Sequence, residues 1–284
     1  LAANTTASYN TGLGYAALDA NTTGASNAAV GYGALGANTT ANNNTAVGYN
    51  ALNANTTGTG NVVLGAYSLD ANTTGNYNVA VGLQAYSAGT TGNYNVAVGQ
   101  GALFYNTTAS DNTAIGRHTL LNNTTAVNNT AVGAAALTTN TTGIENTAVG
   151  AYALRNNSTA NSNTAVGYSA CNGNTTGTGN VALGHGVLYT NTTGTNNTGI
   201  GYAALFTNTG SNNTGMGNSA LYNNTTGSSN TAVGAFALDA NTTASQNTAM
   251  GTYAGSAVTT GNDNALVGHY AGINLTTGSG NSTL

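Results

Sequence analysis

The sequence predicts an all-β chain, a parallel β-solenoid (β-roll) of seventeen-residue coils with two short strands per coil. Two observations carry this expectation. First, Asn10, Asn27, Asn44, Asn61, Asn78, Asn95, Asn112, Asn129, Asn146, Asn163, Asn180 and Asn197 follow one another at a step of seventeen, and after one unit a residue shorter, Asn213, Asn230, Asn247, Asn264 and Asn281 resume it. A fixed short period marks a chain that stacks equivalent coils along one axis. Second, the unit N-T-A-V-G-Y-x-A-L-x-x-N-T-T-G-x-x opens with alternation over five residues and lacks the i, i+3, i+4, i+7 spacing of a helix. Residues 1–284 are therefore read as one repeat array of about seventeen coils.

The elements follow in order. Position 1 is Asn in every unit, and we expect it to form an asparagine ladder of the kind that stabilises stacked strands. Positions 2 to 5, as in Thr45-Ala46-Val47-Gly48, read as the first strand, with β-branched residues enriched. The bulk lies at positions 2 and 4, from Leu13 and Val30 to Met216 and Val267, so this side is expected to face the coil interior. Positions 3 and 5 then share the opposite side. That side carries little but Ala and Gly, at Ala46, Gly48, Ala97, Gly99, Ala148 and Gly150. A strip without side chains suggests close approach of another surface, a subunit interface. The alternative is that the position-5 glycine simply turns the chain at positive φ.

Ala-Leu at positions 8 and 9, as in Ala51-Leu52, reads as the second strand, with Leu meeting Val across a thin core. The Asn-Thr-Thr-Gly run reads as the return turn, since Asn tolerates and Gly permits the left-handed region. The short unit ending before Asn213 lacks one threonine, leaving Asn208-Thr209-Gly210, and its deletion should be absorbed in this turn.

Composition bounds the function. Charged residues are 3% of the chain, and the only basic ones are Arg117 and Arg155. Nucleic-acid binding needs clustered Lys and Arg, so it is not expected. No apolar run approaches the roughly 20 residues of a membrane helix, so membrane insertion is not expected either. No signal peptide is visible at Leu1, and the chain starts and stops inside a repeat, at Asn4-Thr5-Thr6 and Asn281-Ser282-Thr283. This reads as the ordered part of a longer or processed polypeptide, with uncapped ends that could template further chains.

The chemistry of an enzyme is missing from the pattern. Asp19, Asp70, Asp111, Glu145, Asp239 and Asp263 fall in distant coils, as do His118, His185 and His269. No catalytic, metal or cofactor role is expected for any of them. Cys171 stands where neighbouring units carry Leu154 and Leu188, so it reads as a small buried hydrophobe, with an interchain disulfide as the alternative. Asn21, Asn38, Asn55, Asn72 and Asn241 each open an Asn-Thr-Thr sequon and are candidate glycan acceptors; the competing reading is that they make the turn. Tyr15, Tyr32, Tyr49, Tyr168 and Tyr202 follow the glycine and are expected outside the core, where rings can stack on a sugar, hold a partner or cover neighbouring strands.

Strands such as Asn44-Thr45-Ala46-Val47-Gly48 and Asn146-Thr147-Ala148-Val149-Gly150 resemble the head repeats of trimeric autotransporter adhesins. The full unit is similar to repeats of phage tail-fibre and bacterial surface-fibre proteins. The resemblance implies a left-handed coil, a homotrimer and an extracellular setting. It differs in the longer unit and in the lack of a neck or coiled-coil stalk.

Two large apolar residues per coil cannot alone offset the ordering of seventeen residues, so ladders and self-association are expected to contribute. The expectation is an extracellular structural fibre or adhesive surface rod, on a cell surface, secreted or on a virion. It would assemble with itself as a trimer or filament through the Ala/Gly strip, and surface glycans are candidate partners. Replacing Ala97 and Ala148 with Glu would then split the assembly. The alternative is an ice-binding solenoid with threonine ladders, although adjacent threonines in a strand point to opposite faces. A polysaccharide-degrading tailspike would require a carboxylate pair in one groove.

Overall fold

The computed structural model describes residues 3–284; the reading made at Leu1 lies outside the described residues. It divides into two compact units, one up to Ile144 and one from Glu145. Both are built from the same coil, and no helix occurs among the described residues.

The first unit stacks eight three-residue strands, β1 (Thr11–Leu13), β2 (Ala28–Val30), β3 (Thr45–Val47), β4 (Val62–Leu64), β5 (Val79–Val81), β6 (Val96–Val98), β7 (Thr113–Ile115) and β8 (Thr130–Val132). The second stacks β9 (Thr147–Val149), β10 (Thr164–Val166), β11 (Val181–Leu183), β12 (Thr198–Ile200), β13 (Thr214–Met216), β14 (Thr231–Val233), β15 (Thr248–Met250), β16 (Ala265–Val267) and β17 (Ser282–Thr283). Within each unit successive strands pair in parallel at equivalent positions, as Thr45, Ala46 and Val47 do with Val62, Val63 and Leu64. Asn44 and Asn61 thus mark one coil.

Each coil has one strand and not the two expected. The Ala-Leu step is a turn, because the backbone at positions 7 and 9 is left-handed: Asn50 has φ 51° and Leu52 φ 52°. Two such residues around Ala51 fold the chain back on itself, with the Ala51 amide donating to the Gly48 carbonyl at 3.4 Å. A third left-handed residue stands at position 17, as Asn43 with φ 61°. The left-handed residues are therefore not the Asn of Asn-Thr-Thr. Leucine pays for this conformation with strain of order 1–3 kcal/mol. Complete burial of its side chain, worth about 1.5–3 kcal/mol, is of similar size.

Hydrogen bonds along the stack continue outside the strand. In the coil of Asn44 the amides of Thr45, Leu52, Ala54 and Thr56 donate to carbonyls of the following coil at 2.9–3.1 Å. Those of Gly48, Asn50 and Gly60 donate to the preceding coil at 2.8–3.2 Å. A coil in mid-stack is thereby tied on both sides around its whole circumference.

The strand faces opposite to the expectation. Ala46, Ala97 and Ala148 are buried in their own coils at 0% exposure, and position 2 and 4 side chains point outward, with Leu64 50% exposed. The reason is room. Leu from position 9, Ala from position 8 and the two asparagines at positions 1 and 12 already fill the interior, as the burial of Ala51, Leu52, Asn44 and Asn55 shows. In most coils no more than a methyl group lies beneath the strand, although Val63 is accommodated fully buried. Leu266, also at position 3, occupies the space left by Gly255 and Gly272, where an added Cβ would meet its side chain at 2.6 and 2.8 Å. Gly199 lies against Val187, which replaces the usual alanine of position 8.

The position-5 glycines are turn residues. Gly48 has φ 142°, and a Cβ there would lie 2.5 Å from the carbonyl oxygen of Gly65. Gly99 and Gly150 behave likewise, with φ 129° and 132°. The Ala/Gly strip is therefore not a surface: its alanines are core and its glycines turn the chain against the next coil.

The short coil keeps register. Thr198, Gly199 and Ile200 pair with Thr214, Gly215 and Met216, so the missing residue is taken up in the turn at Thr209 and Gly210, both of whose amides donate to the Thr225 carbonyl. Ile200 and Met216 lie on the outward side, with Met216 38% exposed.

Candidate functional site: the outward face of the strands

The interior ladders fix the strand, and the strand presents the face. Position-1 asparagines, buried except at the half-buried Asn10 and Asn281, form the expected ladder. In the first unit Asn10, Asn27, Asn44, Asn61, Asn78, Asn95 and Asn112 each accept, through Oδ1, the backbone amide of the next Asn at 2.9–3.1 Å. In the second unit Asn146 and Asn163 accept from Asn163 and Asn180 at 3.0 and 2.9 Å. The side-chain amides meanwhile bridge the coil, as Asn44 does to the Gly58 carbonyl at 2.8 Å and Asn129 to that of Gly143 at 3.0 Å.

A second ladder was not foreseen. Asn38, Asn55 and Asn72 donate from Nδ2 to Oδ1 of Asn21, Asn38 and Asn55 at 2.8–3.0 Å, and Asn241 donates to Asn224 at 2.6 Å. The same nitrogens also reach the carbonyl three residues on, for instance Asn55 to Gly58 at 2.9 Å. Asn21, Asn38, Asn55, Asn72 and Asn241 are all 0% exposed. An N-linked glycan would have to leave from a buried nitrogen that is already engaged twice, so the folded coil does not offer these residues as acceptors. The recurrence of Asn at position 12 is the sequence signal for this ladder, but the same residue fits a sequon and a turn equally well.

This ladder loses partners where the repeat changes. Oδ1 of Asn191 and of Asn241 is buried with no hydrogen bond. After Asn241 the next coil offers Val258, and after Asn191 the shortened coil turns the Asn208 amide to its own Gly210 carbonyl at 2.9 Å.

Outward, two ranks of side chains run down each stack. Position 2 supplies Thr or Val in most coils, for example Thr45, Val62 and Val79 in the first unit and Thr147, Thr164 and Val181 in the second, and is Ala or Ser at Ala28, Ala265 and Ser282. Position 4 supplies only aliphatic residues and methionine, from Leu13 to Val132 in one unit and from Val149 to Val267 in the other. The two ranks share a face, being two residues apart in a strand, and repeat at the strand spacing of about 4.8 Å. Many of these side chains are well exposed, including Leu13, Leu64 and Ile115, and Leu183 and Met250. No charged residue occurs at either position. Eight strands of about 10 Å at that spacing give a face of nearly 400 Å² in the first unit, the scale at which exposed apolar patches mark interaction sites.

Beside this face, aromatic rings lie outside the core, as expected, and stack on one another. Tyr15, Tyr32 and Tyr49 lie nearly parallel with centroids 5.3 and 5.1 Å apart. In the second unit His185 lies between Tyr168 and Tyr202 at 5.3 and 5.2 Å. Cys171 is fully buried, and burial pushes its thiol up to about 12. Burial likewise raises the Asp239 carboxyl, against two backbone amides, its own and that of Ala240, that hold it down.

Among the described residues no three His, Cys, Asp or Glu side chains gather in a metal-binding group. Nor is any helix among them long and apolar enough to cross a membrane. No family model and no curated protein matches this chain.

Proposed function

We propose that the chain is a structural element of an extracellular fibre or adhesive surface rod, which associates with copies of itself through the outward strand face. The observation that carries this reading is the unbroken apolar rank at position 4, exposed or half-buried along each unit and free of charge. Such a face can meet its own copy without burying an unpaired ion, which would be costly. Regular Thr and Val ranks also allow identical chains to pack in register, as symmetric homo-oligomers require. The extracellular setting and a trimeric arrangement draw on the likeness of the Asn-Thr-Ala-Val-Gly strands to adhesin and tail-fibre repeats. The reading assigns no catalysis to the chain, since its few acids and histidines are dispersed over many coils.

The test is light scattering on the purified chain and on a variant carrying Leu64→Lys and Leu183→Lys, one change per unit. The wild type should form oligomers whose mass rises with concentration, and the variant should stay monomeric with an unchanged circular dichroism spectrum. A wild type that is monomeric at high concentration removes the proposal.

One observation favours a second reading, ice binding. Thr at position 2 lies beside an aliphatic residue at position 4 on the same outward side of the strand, as in Thr147 with Val149 and Thr164 with Val166. A monomer showing thermal hysteresis would select that reading over self-association.

A further inference from the structure

We propose that a notch in the first unit, centred on Gly101, is a binding site for a single uncharged pyranose ring of a carbohydrate. It lies away from the strand face and does not depend on self-association. The notch arises from a break in the repeat. Position 7 carries Gln84, Gly101 and His118 in three successive coils. Two coils separate Gln84 from His118, about 9–10 Å at the strand spacing, and the residue between them has no side chain. The resulting cavity has a volume of about 190 Å³ and is lined by Gln84, Gln100, Phe104, Tyr105 and His118 as well as Gly101.

A glycine at this position does not by itself leave such a space: at Gly33 the side chains of Asn50 and Asn53 reach into the place of the missing Cβ. At Gly101 the nearest atoms are the edge of His118 at 3.0 Å and a methyl of Leu121 at 3.6 Å, which form walls.

The lining matches the chemistry of a sugar. A pyranose offers apolar C–H faces and a rim of hydroxyls, so it is held by aromatic surface together with neutral hydrogen-bonding groups. Phe104 and Tyr105 supply two rings set at 81° with centroids 4.6 Å apart. Gln84 and Gln100 supply amides able to donate and accept at once. Neither glutamine side chain, nor the His118 ring, makes a hydrogen bond to another described residue. Two of the chain's three glutamines thus fall at one notch in a sequence otherwise dominated by Asn and Thr. No carboxylate lines the cavity, so the site is suited to holding a sugar rather than cleaving it.

Saturation-transfer NMR and titration calorimetry on the whole chain, using the methyl glycosides of glucose, galactose, mannose and N-acetylglucosamine, test this. At least one should bind once per chain with Kd on the order of 1 mM, as expected for one ring in a shallow site. Gly101→Asn should weaken binding by about ten-fold or more, a change of about 1.4 kcal/mol. Asn is already used with positive φ at the same position in another coil, as Asn50, so the fold should persist. Gln84→Ala, on an exposed side chain, should weaken binding several-fold. If none of the four glycosides binds, or if both variants bind like the wild type, the proposal is overturned. Binding by a chain that remains monomeric would leave this inference standing while removing the fibre reading.

Discussion

Gly89 has no side chain because the ring of Tyr86 occupies the place where one would go. A Cβ on Gly89 would collide with that ring, and Tyr86 is wholly buried where other coils carry Leu. Its hydroxyl accepts from Nδ2 of Asn95 at 3.0 Å, so it takes over polar work that an asparagine at position 12 would do. Gly89→Asn alone should therefore destabilise the chain, and Tyr86→Leu alone should leave a cavity. The double variant restores the consensus pair and can rejoin the second ladder between Asn72 and Asn106. A double-mutant cycle on chemical denaturation should show a favourable coupling of about 1–3 kcal/mol, whereas additive losses would contradict this packing.

Ala97→Glu should be severely destabilising. It places a charge beneath a strand where only a methyl group lies, with a loss of about 4 kcal/mol or more. Val96→Glu, one residue earlier and on the outward side, should stay within about 1 kcal/mol in the monomer. Thermal melts of the two variants check this, and similar losses would mean that the faces are wrongly described.

The ladder makes a graded prediction. Asn61→Ala removes the acceptor of the Asn78 amide and one of two donors to the Gly75 carbonyl, which keeps the side-chain amide of Asn72. The orphaned Asn78 amide costs about 1–3 kcal/mol, and a loss of at least that size is expected. Asn50→Ala has a different balance, for the Asn50 side chain stands outside both ladders and its loss should be small. Denaturation midpoints measured on both variants give the comparison.

Cys171 predicts an alkaline weakness. Burial raises its thiol from the ordinary 9.0 to about 12, so the folded chain holds the proton more tightly than the unfolded one. Its stabilising contribution is complete below pH 9 and is lost as pH rises from there toward 12. Cys171→Leu, which restores the residue of neighbouring coils, should remove that part of the pH dependence. In the native protein the thiol should resist an aromatic disulfide reagent at neutral pH until the coil opens; rapid labelling of the folded chain would count against its burial.

Much of the architecture was legible because a solenoid writes its period into the sequence. The Asn44 to Asn61 step gave the coil, and the shared loss at Asn208-Thr209-Gly210 could be assigned to the turn from letters alone. The orientation of the strand was not legible. Comparing Ala46 with Val47, bulk points to Val47 as core, yet the interior is already filled from the turn by Leu52 and by two asparagines. That depends on leucine taking the left-handed conformation, which no propensity scale suggests. The second ladder was hidden for a related reason: Asn55 fits a turn and a sequon equally well, and only its closure onto Gly58 distinguishes them. The notch at Gly101 requires knowing that position 7 forms a column, so Gln84 and His118 look unrelated in sequence.

The constant seventeen-residue separation of the strand partners also bears on how the chain reaches its fold. Within each unit, almost every step of the stack closes a loop of one length, so the entropic charge for adding a coil hardly varies along the chain. Nucleation needs two neighbouring coils at once, because a lone coil has no partner for its amides. After that, growth proceeds in either direction by repeated docking onto an existing edge, as in a one-dimensional lattice. The coil between Asn197 and Asn213 is the exception in loop length, and the orphaned Oδ1 of Asn191 beside it marks where a propagating front would find the least reward. Pulse-labelled hydrogen exchange during refolding would then show protection spreading from coil to coil, with a pause at that junction.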